Sequence, residues 1–197
     1  MQTPAHRFHP LLIGAHWLTL VLLIGVYAFI ELRGLFPKGS DARELMKTVH
    51  FLLGLSVFAL VLVRLPLRLA LRAPPVTPAP SVWQHRVALA METALYALLL
   101  ALPLLGWLTL SAQGKDVAVF GLHLPTLIAP DKALGRRLED VHEFLGELGY
   151  WLIGLHAAAA LFHHYVMRDD TLRRMWPLGS GTVQPARPLS STERIVR

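Results

Sequence analysis

The chain has 197 residues, 54% of them hydrophobic and 16% charged, with a formal net charge of +6 and no cysteine. That composition excludes an ordinary soluble domain, and the missing thiols exclude disulfides, thiolate metal sites, iron–sulfur clusters and covalent haem attachment through Cys-x-x-Cys-His. The positive charge flanks apolar spans, so its expected partner is the membrane lipid headgroup and not nucleic acid.

Leu11 to Ile30 is twenty residues without a formal charge, and at about 1.5 Å per residue it crosses about 30 Å of hydrocarbon. The run is too long for a signal peptide, and no small-x-small cleavage site follows Tyr27-Ala28-Phe29-Ile30-Glu31. It is predicted as a retained first transmembrane helix, with His16 in its first two turns. After a loop through Gly34, Pro37 and Gly39, Asp41-Ala42-Arg43-Glu44 reads as a D-x-x-E capping box that opens a second helix. Its apolar part, Val49 to Val63, reaches membrane length once the turns from Asp41 are included. His50 lies near its beginning, and Arg64 and Arg68 are expected to snorkel at its far end.

Pro74, Pro75, Pro78 and Pro80 make an extended linker. Val87 to Leu110 is the third span, kinked at Pro103, and Glu92 inside it reads either as a quinone proton donor or as a partner of Arg64, Arg68 or Arg86. Ser111 to Arg137 is a longer loop with a short interfacial segment around Val117 to Leu122. Leu138 to Met167 is the fourth helix, in which Leu148 to Met167 has no Asp, Glu, Lys or Arg. The expectation is therefore an all-α, four-transmembrane-helix bundle over residues 1–176, with spans at about 11–30, 43–64, 87–110 and 140–167. Residues 177–197, rich in Pro, Gly, Ser, Thr and Arg, are expected to be a disordered cytoplasmic tail.

Four spans put both termini on one side. The tails and the Pro-rich loop hold eleven Lys and Arg residues against eight in the other two loops, which orients the termini to the cytoplasm. In this topology His16 on helix one and His156 on helix four lie in the inner half, and His50 and His142 in the outer half. His142 and His156 are 14 residues apart, which at about 100° per residue returns them to nearly one helix face, about 21 Å apart along the axis. Intramembrane histidines are rare, and two pairs at two depths, each drawn from two helices, meet the requirement for two stacked haems with imidazole on both axial positions. A side-chain hydrogen bond between helices is the plainer explanation of any one of them. His163, seven residues from His156, is a rival ligand, whereas a closed zinc site needs about four ligands at one depth. Gly14, Gly54, Gly146, Gly154 and Ala157 to Ala160 supply small residues beside the candidate ligands.

The order GAHWL on helix one, KTVHFLLG on helix two, ALPLLGW on helix three and VHEFLGELGYWLIGLHAAAALFHHY on helix four resembles the bacterial cytochrome b-561 family over about residues 7–177. The resemblance implies two haem b groups, each with its iron, held by His16, His50, His142 and His156 in the bacterial inner membrane. It also implies ubiquinone as electron acceptor and superoxide as donor, in an oxidoreductase with no catalytic side chain of its own and no obligate protein partner. Lys38, Arg43, Lys47, Arg136 and Arg137 lead into the helices bearing His50 and His142 and offer a positive approach for an anion. The alternative is a cytochrome b relay subunit that links a partner dehydrogenase or hydrogenase to the quinone pool. Short loops and the lack of an extra domain favour the self-contained enzyme.

Overall fold

A computed structural model describes residues 7–71, 73–115, 117–119 and 122–177; of the tail expected over 177–197, all but the first residue lies outside these. Four long helices carry the molecule: α1 (Pro10–Leu32), α2 (Asp41–Ala70), α3 (Val82–Ala112) and α4 (Lys132–Tyr165). All four are long and apolar enough to cross a membrane, and the chain is an integral membrane protein. A 3-10 turn (Arg33–Leu35) follows α1, a hairpin of β1 (Val117–Val119) and β2 (Leu122–Leu124) precedes α4, and a one-turn helix α5 (Thr171–Arg174) follows it.

The helices run beyond the expected apolar spans because their first turns are polar and capped by side chains outside the hydrocarbon. Ser40, one residue ahead of the expected Asp41–Glu44 box, is the N-cap of α2 and accepts from the Arg43 amide at 3.3 Å. Asp41 and Glu44 instead occupy the first turn, where their charge suits the helix dipole. Ser81 and Gln84 form a reciprocal capping box on α3, and Asp131 caps α4 by accepting from the amides of Ala133 and Leu134. Those two amide bonds hold the Asp131 carboxyl below the usual carboxylate range. Both α2 and α3 continue through an internal proline, Pro66 and Pro103.

The segment expected to lie at the interface around Val117 to Leu122 is an antiparallel ladder, pairing Val117 with Leu124, Ala118 with His123 and Val119 with Leu122. The Leu-His-Leu strand alternates apolar and polar residues, the period of two that suits a pleated ribbon.

Successive helices pack side by side along α1, α2, α3 and α4. A small core of Val57, Val61 and Leu99, with Leu22, Leu23, Val26, Tyr96 and Leu100 against it, joins α1, α2 and α3. Large apolar side chains such as Val21, Ile24, Val63, Trp151 and Leu155 stay exposed, which in a membrane protein is the lipid-facing surface. Side chains bridge α1 and α4: Tyr27 donates from its hydroxyl to the Gly146 carbonyl at 3.0 Å, Tyr150 donates to Glu31 at 2.9 Å, and the two rings stack 4.2 Å apart. The Tyr27 hydroxyl lies where a Cβ on Gly149 would be, so this seam needs glycine there.

One end of the bundle, the loop end, carries the α1–α2 connection and the hairpin. The other, the terminal end, gathers the first described residues, the Pro-rich linker and α5. There Trp17 donates to the Met175 carbonyl at 2.7 Å, Thr77 donates from its amide to Asp170 at 3.0 Å, and Arg174 donates to the Pro74 carbonyl. Arg174 also lies over the Phe8 ring, 5.5 Å from its centroid. The spans are thus tied together at an interface where Trp and Arg anchor readily.

Candidate paired-histidine site

His16 on α1 and His156 on α4 face each other toward the terminal end, with ring centroids 6.2 Å apart and planes at 65°. His50 on α2 and His142 on α4 face each other toward the loop end, also at 6.2 Å, with planes at 78°. These are the pairs expected from depth and helix direction. The 14-residue spacing on α4 sets the two levels about 21 Å apart along that helix.

The surroundings of the rings differ. His50 directs Nδ1 at the Val26 carbonyl, 2.8 Å away. A carbonyl only accepts, so Nδ1 carries the proton and Nε2 keeps its lone pair for a ligand. His142 packs against α3, with Cε1 3.4 Å from where a Cβ on Gly106 would be. His156 lies well inside a span and turns its ring toward His16, and an imidazole at that depth is expensive unless it serves a partner or a ligand. His16 lies 3.0 Å by Nδ1 from Nη2 of Arg64.

Two of the four glycines beside these histidines provide room on the correct face. Gly54 and Gly146 follow His50 and His142 by one turn, and a Cβ on either would meet no heavy atom within 4 Å. Gly14 and Gly154 are equally open, but each is two residues from its histidine and so points away from it. Gly154 lines a shallow apolar groove on the outside of α4 with Tyr150, Trp151, Leu155 and Ala158.

Arg64 and Arg68, expected at the far end of the second span, each find a partner on a neighbouring helix. Arg68 grips both carboxylate oxygens of Glu92, at 2.8 and 3.2 Å, which joins α2 to α3 and accounts for Glu92 as an ion-pair partner. Arg64 stays inside the bundle, with its guanidinium 5.5 Å over the Tyr96 ring and directed at His16. Sequence reading missed this contact, yet a signal exists. Arg64 follows His50 by 14 residues, the spacing that separates His142 from His156, so it occupies on α2 the level that the second histidine occupies on α4.

His163, the rival ligand, is engaged elsewhere, with Nδ1 2.6 Å from a carboxylate oxygen of Asp169. Burial raises the Asp169 carboxyl, but bonds from His163 and Thr171 outweigh it and hold the group below the usual range. His9 caps α1 through its ring, His85 lies in the first turn of α3 and His123 lies in β2. At the loop end Lys47 pairs with Glu44 at 2.6 Å, and Arg43 donates to the carbonyls of Arg33 and Phe36, which leaves Lys38, Arg136 and Arg137 as the exposed cations among those expected to steer an anion.

A membrane bundle with two facing imidazole pairs at two levels belongs to the class of helical membrane cytochromes. The profile of the prokaryotic cytochrome b561 family matches residues 7–178, and the chain belongs to that family, whose members bind b-type haem and transfer electrons. It is 39% identical over 172 residues to cytochrome b561 homolog 1 of Escherichia coli K12, covering 87% of this chain and 98% of that protein. It is 37% identical over 175 residues to the probable superoxide oxidase CybB of Yersinia pestis, covering 89% and 98%. Cytochrome b561 homolog 2 of Escherichia coli K12 is 31% identical over 188 residues, covering 88% and 93%.

Proposed function

We propose that the protein is a dihaem superoxide:ubiquinone oxidoreductase, with one haem b held by His16 and His156 and a second by His50 and His142. The observation that carries the reading is the 6.2 Å centroid spacing of both pairs. At that spacing His16 with His156, and His50 with His142, would each be able to hold one metal centre between their ring nitrogens. Among the described residues no three His, Cys, Asp or Glu side chains gather as a metal-ion site. Two imidazoles with no further side-chain ligand would suit a haem, whose porphyrin would supply the remaining ligands to iron. Haem held there by two imidazoles would supply one-electron transfer.

The chain's own residues hold and orient. Val26 fixes the tautomer of His50, and Gly54 and Gly146 leave room beside the loop-end pair. The likeness to a relative named as a probable superoxide oxidase supports superoxide as the donor. Two superoxide ions give up two electrons and leave as two dioxygen molecules; ubiquinone takes the two electrons and two protons to become ubiquinol. The arginine-rich termini and Pro-rich linker support an inner-membrane orientation with both termini cytoplasmic, so that superoxide arrives at the loop end from the periplasm.

The test is stopped-flow haem reduction by a superoxide flux, followed by anaerobic addition of a ubiquinone analogue. The haem is expected to reduce and then reoxidise. Failure to reduce removes the donor, and haem that stays reduced with quinone removes the acceptor. Phosphatase fused after Arg168 should be inactive and phosphatase inserted at Gly114 active; the reverse pattern inverts the orientation.

A further inference from the structure

We propose that Tyr27 is a positioning residue for the loop-end pair of His50 and His142, an inference that rests on the ligand reading above. The helices pack in the order α1, α2, α3, α4, so α2 and α4, which carry the two rings, do not pack side by side. On one side α3 stands between them, with Gly106 against the His142 ring. On the other side α1, which supplies neither ring, reaches both helices from two consecutive residues. The Val26 carbonyl accepts from His50 Nδ1 at 2.8 Å, and the Tyr27 hydroxyl donates to the Gly146 carbonyl at 3.0 Å. Gly146 is one helical turn past His142. The separation of the two rings is therefore closed through one dipeptide of α1.

The surroundings of Tyr27 hold it in that role. Its ring stacks 4.2 Å from the Tyr150 ring, and its hydroxyl lies where a Cβ on Gly149 would be. A phenol carries no formal charge, so it crosses between helices without the cost of an ion in a span. As a helical carbonyl, Gly146 also accepts the Tyr150 amide within α4. Loss of the Tyr27 oxygen thus leaves no buried acceptor unpaired, and it frees α4 from α1 without unwinding either helix. His156 lies ten residues beyond Gly146, about 15 Å along α4, so the terminal-end pair is outside the reach of this contact.

The experiment compares the full-length, haem-loaded protein with its Tyr27→Phe variant in detergent, by ferric EPR and by the rate of haem loss to apomyoglobin. The His50→Ala variant, expected to lose the loop-end haem, identifies the signal of each site. A ferric haem held between two imidazoles gives a low-spin EPR signal that follows the angle between their planes, 78° for this pair. In Tyr27→Phe the loop-end signal should shift and its haem should leave about fivefold faster, as loss of one hydrogen bond implies, while the terminal-end signal and rate stay. Gly149→Ala, whose methyl group would displace the Tyr27 hydroxyl, should shift the same signal. If Tyr27→Phe fails to load haem, Gly149→Ala decides, and an unmoved loop-end signal there overturns the proposal. An unmoved loop-end signal in Tyr27→Phe, or an equal change at both sites, overturns it alone when His50→Ala has removed one haem. Retention of both haems in His50→Ala sinks the ligand reading and this inference with it.

Discussion

The loop-end and terminal-end histidine pairs share a spacing and differ in almost everything around it. At the loop end the pair joins α2 to α4, one ring is anchored on a backbone carbonyl, and an open glycine lies one turn along from each histidine. At the terminal end the pair joins α1 to α4, and a guanidinium faces one of its rings. The same separation is thus reached with backbone at one level and with a charged side chain at the other. A backbone carbonyl is part of the helix and carries no net charge, so it orients a ring at little electrostatic cost. An arginine in a span is costly unless it serves a charge or a ligand.

The sharpest break of this comparison is removal of one ligand at a time. On the proposed assignment, His16→Ala and His50→Ala should each lower the haem content of the purified protein from two per chain to one, by different haems. Pyridine haemochrome assay against protein concentration measures it, and identical residual spectra in the two variants would contradict the pairing. Next in size is Gly54→Leu, which fills the open space one turn from His50. It should reduce loop-end haem occupancy several-fold and leave the terminal-end haem in place. Full occupancy of both would mean that the cofactor does not use that space.

A smaller effect is expected from the α2–α3 ion pair beside the terminal-end site. The Arg68 and Glu92 side chains are each about a third exposed, so breaking the pair with Arg68→Leu should cost about 1–3 kcal/mol, between the values for surface and buried pairs. Thermal unfolding in detergent should show most of that loss recovered in Arg68→Leu/Glu92→Leu, because the second change removes the stranded charge. No recovery would mean that Arg68 acts through packing.

The smallest effect concerns Asp169, which ties His163 to the start of α5. Its folded carboxyl titrates below the ordinary value, so its stabilisation is present above the unfolded value of about 3.9 and is lost as pH falls through the lower folded value. Asp169→Asn should remove that acid-dependent part of stability, on the order of 1 kcal/mol, without moving either haem spectrum. A change in the terminal-end spectrum would connect His163 to the site after all.

Much of the fold was legible because membrane spans are declared by local composition. Twenty uncharged residues make a span wherever they occur, and alternating helix direction assigns each histidine a depth without any knowledge of packing. The pairing of His16 with His156 and of His50 with His142 follows from that alone. The helix starts were less legible, since Ser40, Ser81 and Asp131 lie in polar turns that hydropathy reads as loop.

The sequence by itself determined four apolar helices, two levels of histidine and membership of a haem-binding family. The tertiary structure decided that Arg64 turns inward to His16 while Arg68 takes Glu92, that Val26 orients His50, and that Tyr27 closes the α1–α4 seam over Gly149. The division has a physical cause. Span length, helical period and chain direction are properties of one segment and can be summed along it. Which of two arginines one turn apart finds the carboxylate, and which finds the imidazole, depends on the rotation and separation of neighbouring helices, and no single helix contains that information.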